Sequence, residues 1–183
     1  PYFYGYKTAG VFQNMDEVKA YVNKDGNMIM PDAKPGDVRF VDVNGDGKID
    51  ADDRTNIGNG TPKWTFGFNL GAEWKGFDFN LFLQGVTDNK VFDATYRTDV
   101  YSGNFPSWML SRWTGEGTSN KYPILKAGDA TNWQVSDLYI CDGSYLRVKN
   151  ISLGYTLPNN LTQKLSISRL RFYVMAENLI TWT

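Results

Sequence analysis

The stretch from Pro62 to Gly85, PKWTFGFNLGAEWKGFDFNLFLQG, consists of two alternating runs separated by Lys75-Gly76. The even positions of the first run are all apolar: Trp64, Phe66, Phe68, Leu70, Ala72 and Trp74. After Gly76 the apolar positions are Phe77, Phe79, Leu81 and Leu83, with Asp78, Asn80 and Gln84 between them. A two-residue period is that of a β-strand with one apolar face. The stretch therefore predicts an antiparallel hairpin with one apolar side and a tight turn.

The same pattern returns near the end of the chain. Apolar residues alternate with polar ones in two further runs, one from Asn150 to Leu157 and one from Leu170 to Glu177. A second hairpin is expected there. Between the hairpins lies a long irregular region, in which only Ser107 to Trp113 favours a helical turn. Nearer the start, Asn14 and Glu17 predict a capped helix over residues 15–22, with Met15, Val18 and Val22 on one face.

Alternation alone does not say whether the apolar side meets lipid or a second sheet, because soluble sandwiches alternate too. Three features favour lipid. The runs have the length that tilted strands need to cross a bilayer. Very short connections alternate with very long ones. Aromatic residues stand at the ends of the apolar stripes: Trp64, Trp74, Phe77, Tyr155 and Trp182.

The predicted fold class is therefore all-β: an antiparallel transmembrane β-barrel segment with long external loops and a short helix. Four strands cannot close without a free edge in lipid, so the segment would be part of a larger barrel.

Composition excludes several functions. The 183 residues carry 19 basic and 20 acidic side chains, a net charge of −1, which gives no reason to expect nucleic acid as a partner. There is no His, so the commonest general base is missing, and the chain offers no catalytic residues. The single cysteine, Cys141, excludes an internal disulfide and is expected to be a buried small hydrophobe.

An acidic stretch, DVNGDGKIDADD from Asp42 to Asp53, has the spacing of a calcium loop. Oxygen ligands would come from Asp42, Asn44, Asp46, the Lys48 carbonyl, Asp50 and Asp53, with Gly47 providing the turn. The last position is Asp rather than Glu, which favours weaker binding. A metal-free alternative is a run of Asx turns in which Asp50 caps a short helical turn.

Five blocks of sequence resemble one family. DGSYLRVKNISLGYTLP from Asp142 is similar to a signature of SusC/RagA-like TonB-dependent outer-membrane transporters, with Val148 where Leu is usual. In order along the chain, FYGYKTAGVFQN, PGDVRFVDVNGDGKIDADDRTNIGN, the hairpin quoted above and the final MAENLITWT also resemble that family.

The resemblance implies that residues 1–183 are the C-terminal part of a barrel in the outer membrane of a Gram-negative bacterium. It divides into a strand with an external loop carrying the calcium-type motif (1–61), a hairpin (62–86), a long external loop (87–144) and a second hairpin (145–183). The whole transporter would import oligosaccharides or peptides with a SusD-like surface lipoprotein, and would be energised by TonB through the missing N-terminal part. Calcium would stiffen an external loop.

Candidate contact residues lie in the long loop. Trp108, Trp113, Tyr122 and Trp133 suit either docking of the lipoprotein or stacking on sugar rings, whereas packing within the loop is the alternative. The polar strand positions Asn69, Glu73, Asp78, Asn80 and Gln84 would face the lumen. The competing function is a secreted soluble β-domain that binds glycans with a calcium-stabilised loop.

Overall fold

The computed structural model describes residues 2–95, 104–126 and 128–183. The strands are β1 (Tyr2–Gly5), β2 (Thr8–Val11), β3 (Val38–Phe40), β4 (Thr55–Asn59), β5 (Trp64–Trp74), β6 (Phe77–Thr87), β7 (Lys90–Phe92), β8 (Ile140–Asp142), β9 (Tyr145–Thr156) and β10 (Arg171–Trp182). The helices are α1 (Met15–Ala20) and α2 (Asn159–Thr162), with 3₁₀ turns at Ala51–Asp53, Ser107–Ser111, Asp137–Tyr139 and Gln163–Leu165. Within the described residues, no helix has the length and apolar character needed to cross a membrane.

The chain forms two compact units. One, the sheet unit, combines Thr61–Asn89 with Asp142–Thr183. The other, the loop unit, combines Pro1–Gly60 with Lys90–Cys141. The two predicted hairpins therefore fold together as one unit, and the two predicted external-loop segments fold together as the other.

The sheet unit is a four-stranded antiparallel sheet in the order β10-β9-β6-β5. Both predicted hairpins are present, and β5 pairs with β6 without interruption from Trp64 opposite Thr87 to Trp74 opposite Phe77. Lys75 and Gly76 both have positive φ, 48° and 87°. Two positive values in a two-residue loop are those of a type I′ turn, whose twist matches that of the flanking strands.

One apolar face runs across all four strands because β9 contains a bulge. Val148 and Ile151 are three residues apart and would lie on opposite faces of a regular strand. On β6, however, the adjacent residues Phe82 and Leu83 pair with Asn150 and Val148, so Lys149 is an extra residue. The bulge returns Val148 to the apolar face. Strand β9 begins at Tyr145, five residues before Asn150, where the clear alternation in the sequence begins. The bulge hides this earlier part because it interrupts the two-residue period.

The apolar face is exposed. Trp64 is 72% and Val174 77% accessible. Trp64 and Trp182 lie near one end of the sheet, while Trp74, Phe77 and Tyr155 lie at the other. The rings of Phe77 and Tyr155 are in contact, with centroids 4.6 Å apart. Aromatic residues thus stand at both ends of the apolar face, with aliphatic side chains and the rings of Phe66, Phe68 and Phe79 between them.

The loop unit has its own small core, in which Tyr6, Val38 and Phe40 are buried. Strand β1 pairs with β4 and β2 with β3, both antiparallel. Helix α1 begins as expected, because Asn14 accepts a hydrogen bond from the Glu17 N–H at 3.0 Å. It ends at Ala20, two residues earlier than expected, and only Val18 of its predicted apolar face is buried.

Three further expectations differ from the structure. Met15, the first residue of α1, and Val22, which lies beyond its end at Ala20, are both exposed. The long region after Thr87 contains the short strands β7 and β8, and residues 96–103 of it lie outside the described residues. Cys141, which the sequence predicts to be buried, is exposed in the short strand β8.

Candidate functional sites

The acidic loop is held by its own side chains. Asp42 accepts hydrogen bonds from the N–H groups of Gly45 at 2.6 Å and Gly47 at 2.8 Å. Asn44 accepts from the Asp46 N–H at 2.9 Å. Gly47 has a φ of 89°, the left-handed conformation that the sequence predicts for this turn.

The end of the loop is a reciprocal cap. The carboxylate of Asp53, which is fully buried, accepts hydrogen bonds from the N–H groups of Val43 and Asp50, each at 2.8 Å. Asp50 in turn accepts from the Asp52 N–H at 2.9 Å. The capping arrangement that the sequence offers as an alternative is therefore present around the Ala51–Asp53 turn.

Lys48 contributes a side chain where the sequence predicts only a carbonyl. Its ammonium lies 2.6 Å from Asp50 Oδ2 and 3.7 Å from Asp46 Oδ2. The hydrogen bond to Asp50 raises the pKa of Lys48, and the same bond, with that from the Asp52 N–H, lowers the pKa of Asp50. In the described part of the chain, no three acidic, thiol or imidazole groups gather as a metal cluster.

Three of the four candidate aromatic residues meet in the loop unit. Trp108 stacks on Tyr122 with ring centroids 4.5 Å apart. Trp133 is 8% exposed and packs beside Met109, while its carbonyl accepts a hydrogen bond from the Tyr139 hydroxyl. These side chains border a small crevice next to Asp93. Hydrogen bonds from the hydroxyl and backbone of Thr95 lower the pKa of Asp93.

Trp113 is joined to that group by its backbone, since its N–H donates to the Tyr122 carbonyl at 2.9 Å. Its indole is bound by Gln13, a residue that sequence reasoning missed. The Gln13 side-chain oxygen accepts hydrogen bonds from Trp113 Nε1 at 3.3 Å and the Gly117 N–H at 2.9 Å. Its amide nitrogen donates to the carbonyls of Val11 and Ser119. Nothing in the local sequence indicates this role, because three of the four partners are about a hundred residues away.

The residues that the sequence predicts to face the lumen share one face of the sheet, called here the polar face. The strand register places them on the side opposite the apolar face: Asn69, Glu73, Asp78, Asn80 and Gln84. Sequence reasoning missed Arg171, which bonds Asp78 through two nitrogens. At the turn end of this face lies a cleft of about 990 Å³, lined by Glu73, Asp78 and Arg169 among others.

A second cleft, of about 530 Å³, lies in the loop unit. It is bordered by Lys34, Lys48 and Lys126, and by Asp37 and Asp129. Asp37 and Lys48 belong to the block that begins at Pro35, whereas Lys34, Lys126 and Asp129 belong to no recognisable motif. All of these residues come from two segments of the chain separated by some eighty residues.

The chain has recognisable relatives, although no family model matches it. It is 34% identical over 183 residues to "TonB-dependent receptor P3" of Formosa agariphila. The alignment covers 99% of this chain and 17% of that relative. It is 30% identical over 129 residues to "TonB-dependent receptor SusC" of Bacteroides thetaiotaomicron. The alignment covers 69% of this chain and 12% of that relative. The chain thus spans about a sixth of the first of these relatives.

Solved structures give the same picture. The chain aligns over its whole length with the RagAB peptide transporter at a TM-score of 0.69 and 26% identity. It also aligns with the RagAB peptide importer in its open-open state at a TM-score of 0.67 and 27% identity. In each case it covers 19% of the solved chain.

Proposed function

Because this chain is homologous over nearly its whole length to a segment of SusC/RagA-like TonB-dependent receptors, we propose that it forms part of the wall and external loops of an outer-membrane nutrient importer. The homology confirms the family resemblance, the barrel-segment fold and the outer-membrane location. The relatives are receptors and transporters rather than enzymes.

The observation that carries the proposal is the exposed apolar face of the sheet. Large apolar side chains along β5 and β10 are accessible on that face, whereas the opposite face carries amides, carboxylates and Arg171 together with Phe82, Tyr173 and Met175. A sheet that is apolar on one side and mostly polar on the other, with aromatic residues at both ends, suits a wall between lipid and a wet lumen. A soluble glycan-binding β-domain would need a partner surface to cover those side chains.

Partners and cargo follow from the family. We propose a SusD-like surface lipoprotein as the partner of the external loops, and coupling to TonB through parts of the receptor outside this chain. The cargo is a glycan or a peptide; the RagAB relative is described as a peptide importer. Membrane lipid would contact the apolar face, and nucleic acid has no place in this function.

Substitutions on the two faces test the proposal in the full-length receptor. Leu70→Arg puts a cation on the apolar face in mid-strand, which costs about 2–4 kcal/mol at the bilayer centre. Asn69→Arg is the matched control on the polar face. We expect heat-stable receptor in outer-membrane fractions to fall for Leu70→Arg and to remain for Asn69→Arg.

Detergent dependence separates this proposal from the soluble alternative. If residues 1–183 were a soluble domain, they would give a monodisperse β-rich monomer without detergent. If Leu70→Arg and Asn69→Arg also changed the amount of heat-stable receptor equally, the two faces of the sheet would not meet different surroundings. The hypothesis of a soluble glycan-binding domain would then be favoured.

We also propose that the acidic loop binds Ca²⁺ as a structural ion. Support comes from the all-oxygen donor set at calcium-loop spacing: Asp42, Asn44, Asp46, the Lys48 carbonyl, Asp50 and Asp53. The Lys48 ammonium lies 2.6 Å from Asp50 Oδ2 and 3.7 Å from Asp46 Oδ2 and offsets part of their negative charge. Ca²⁺ would replace that ammonium, and its charge would stiffen the loop next to Ile49, which packs on the buried core of the loop unit.

Calorimetry of the chelator-treated full-length receptor tests the calcium proposal. We expect a dissociation constant of about 10⁻⁴ to 10⁻³ M, in the range of extracellular calcium modules, since Asp53 replaces the usual Glu. The double substitution Asp46→Asn with Asp50→Asn should abolish binding, whereas Asp25→Asn, on an exposed turn outside the loop, should not. Equal heats for the wild type and the double variant would contradict the proposal.

For the loop aromatics we propose partner or sugar contact through Trp108 and Tyr122, whose stacked rings are partly accessible. Trp133 is buried and Trp113 is bound by Gln13, which supports the packing alternative for these two. Alanine substitution of Trp108 should weaken lipoprotein or glycan binding without unfolding the receptor. Trp133→Ala should also weaken lipoprotein or glycan binding, but it should lower the melting temperature as well, because Trp133 is buried.

A further inference from the structure

The 530 Å³ cleft of the loop unit has an apolar floor and a charged rim. Its floor includes Phe40, Ile49 and Met30, which belong to or pack on the core. The volume falls in the range of small-molecule sites, which bury a ligand's apolar part and fix its orientation with a few polar groups. What the rim offers to a ligand depends on which of its charged groups are already bonded.

The two inner carboxylates of the rim are already occupied by donors. Asp37 accepts hydrogen bonds from the Asn132 amide at 2.9 Å, from the Lys34 N–H at 2.9 Å and from the Lys126 ammonium. Asp129 accepts from the N–H groups of Thr131 and Asn132, each at 3.0 Å, and from the Asn132 amide at 2.5 Å. Neither carboxylate has much capacity left to accept a donor from a ligand.

The ammonium groups of the rim keep spare donors. An ammonium has three N–H groups, and Lys126 uses one on Asp37. Lys34 is exposed, and among the described residues its ammonium has no hydrogen-bond or ion-pair partner. Lys48 is turned towards Asp46 and Asp50. Among the described residues that line the cleft, the remaining carboxylate is that of Asp32, which is exposed.

We propose that this cleft is a binding site for a carboxylate group borne by a small ligand, with Lys34 and Lys126 as its hydrogen-bond donors. Ammonium–carboxylate hydrogen bonds are charge-assisted and stronger than neutral ones. The apolar floor accommodates the carbon skeleton next to the carboxylate. An acidic oligosaccharide and the C-terminal end of a short peptide both present this chemistry.

Equilibrium binding to the full-length receptor in detergent tests the proposal. Acetyl-trialanine with a free carboxylate is compared with its C-terminal amide, and trigalacturonate with galactotriose. We expect at least one acid to bind about tenfold more tightly than its neutral counterpart, the difference that one charge-assisted contact supplies. The acid that binds identifies the source of the carboxylate.

Two variants assign the contact to the cleft. Lys34→Met removes a donor whose ammonium bonds no described residue, so the fold should persist, and the affinity for the acid should fall about fivefold or more. Lys24→Met removes an exposed lysine outside the cleft and should leave affinity unchanged. Equal binding of acid and neutral probes, no saturable binding, or an unchanged affinity in Lys34→Met would each overturn the proposal. Import is not measured, so failure here leaves the proposed transport function unaffected.

Discussion

Arg171 and Asp78 form a two-point ion pair across the strand that separates them. Arg171 Nε lies 2.9 Å from Asp78 Oδ1 and Nη2 lies 2.5 Å from Oδ2. The pair joins β10 to β6 over β9, where Gly154 faces it. A Cβ at residue 154 would lie 2.6 Å from both Arg171 Nη2 and Asp78 Oδ1. The glycine therefore leaves the space that the ion pair occupies.

Gly154→Ala should separate this ion pair. We expect the variant to lower the melting temperature of the full-length receptor in detergent, because the methyl group displaces the bidentate contact. In an Arg171→Met background the same substitution should have little effect, since no pair remains to be displaced. Equal losses in both backgrounds would show that Gly154 is required for another reason.

Gly76→Ala should disturb the hairpin turn. Gly76 has a φ of 87°, and a Cβ there would lie 2.8 Å from the Thr156 carbonyl oxygen, a backbone atom that cannot easily move. The left-handed conformation alone costs a residue with a Cβ about 1–2 kcal/mol. Denaturant unfolding should show at least that loss. Gly71→Ala, at a glycine without positive φ, is the control and should cost much less.

Asn132→Asp should destabilise the loop unit. Asn132 is 1% exposed; its amide nitrogen bonds Asp37 and Asp129, and its oxygen accepts from the Val38 N–H at 2.8 Å. A third carboxylate at this point replaces a donor with a like charge, which we expect to cost about 3–5 kcal/mol. Hydrogen exchange at the Val38 amide should accelerate. The exposed Asn27→Asp should leave it unchanged.

The pH response of the acidic loop follows from Asp50. The hydrogen bond from the Lys48 ammonium lowers the pKa of Asp50 most, and that from the Asp52 N–H lowers it further. Both bonds favour the ionised carboxylate, so they stabilise the loop fully at a pH above the ordinary carboxyl pKa, about 3.9. That contribution is lost as the pH falls through the lower folded-state value. A carbon-13 titration of metal-free receptor should place Asp50 below its ordinary pKa. Lys48→Met should raise it, and no change would show that Lys48 has no part.

Much of the sheet can be read from local patterns. The two-residue period of Trp64 to Trp74 fixes which face is apolar, and Lys75-Gly76 fixes the turn, because both depend on neighbours within the chain. The cap of α1 by Asn14 and the capping box of Asp50 and Asp53 are local for the same reason. The bulge at Lys149 is less readable, since its effect appears only when β9 is paired with β6.

The alternating strands, the tight turn, the acidic spacing and the family can be predicted without a structure, because each rests on residues close together or on an ordered series of blocks. Tertiary structure decided the contacts between distant residues. Gln13 with Trp113, Asp37 with Asn132, and Asp78 with Arg171 are each separated by more than ninety positions. No periodicity links such pairs, since their distance depends on how loops and strands pack rather than on spacing along the chain. Burial of Trp133 and exposure of Cys141 were decided in the same way.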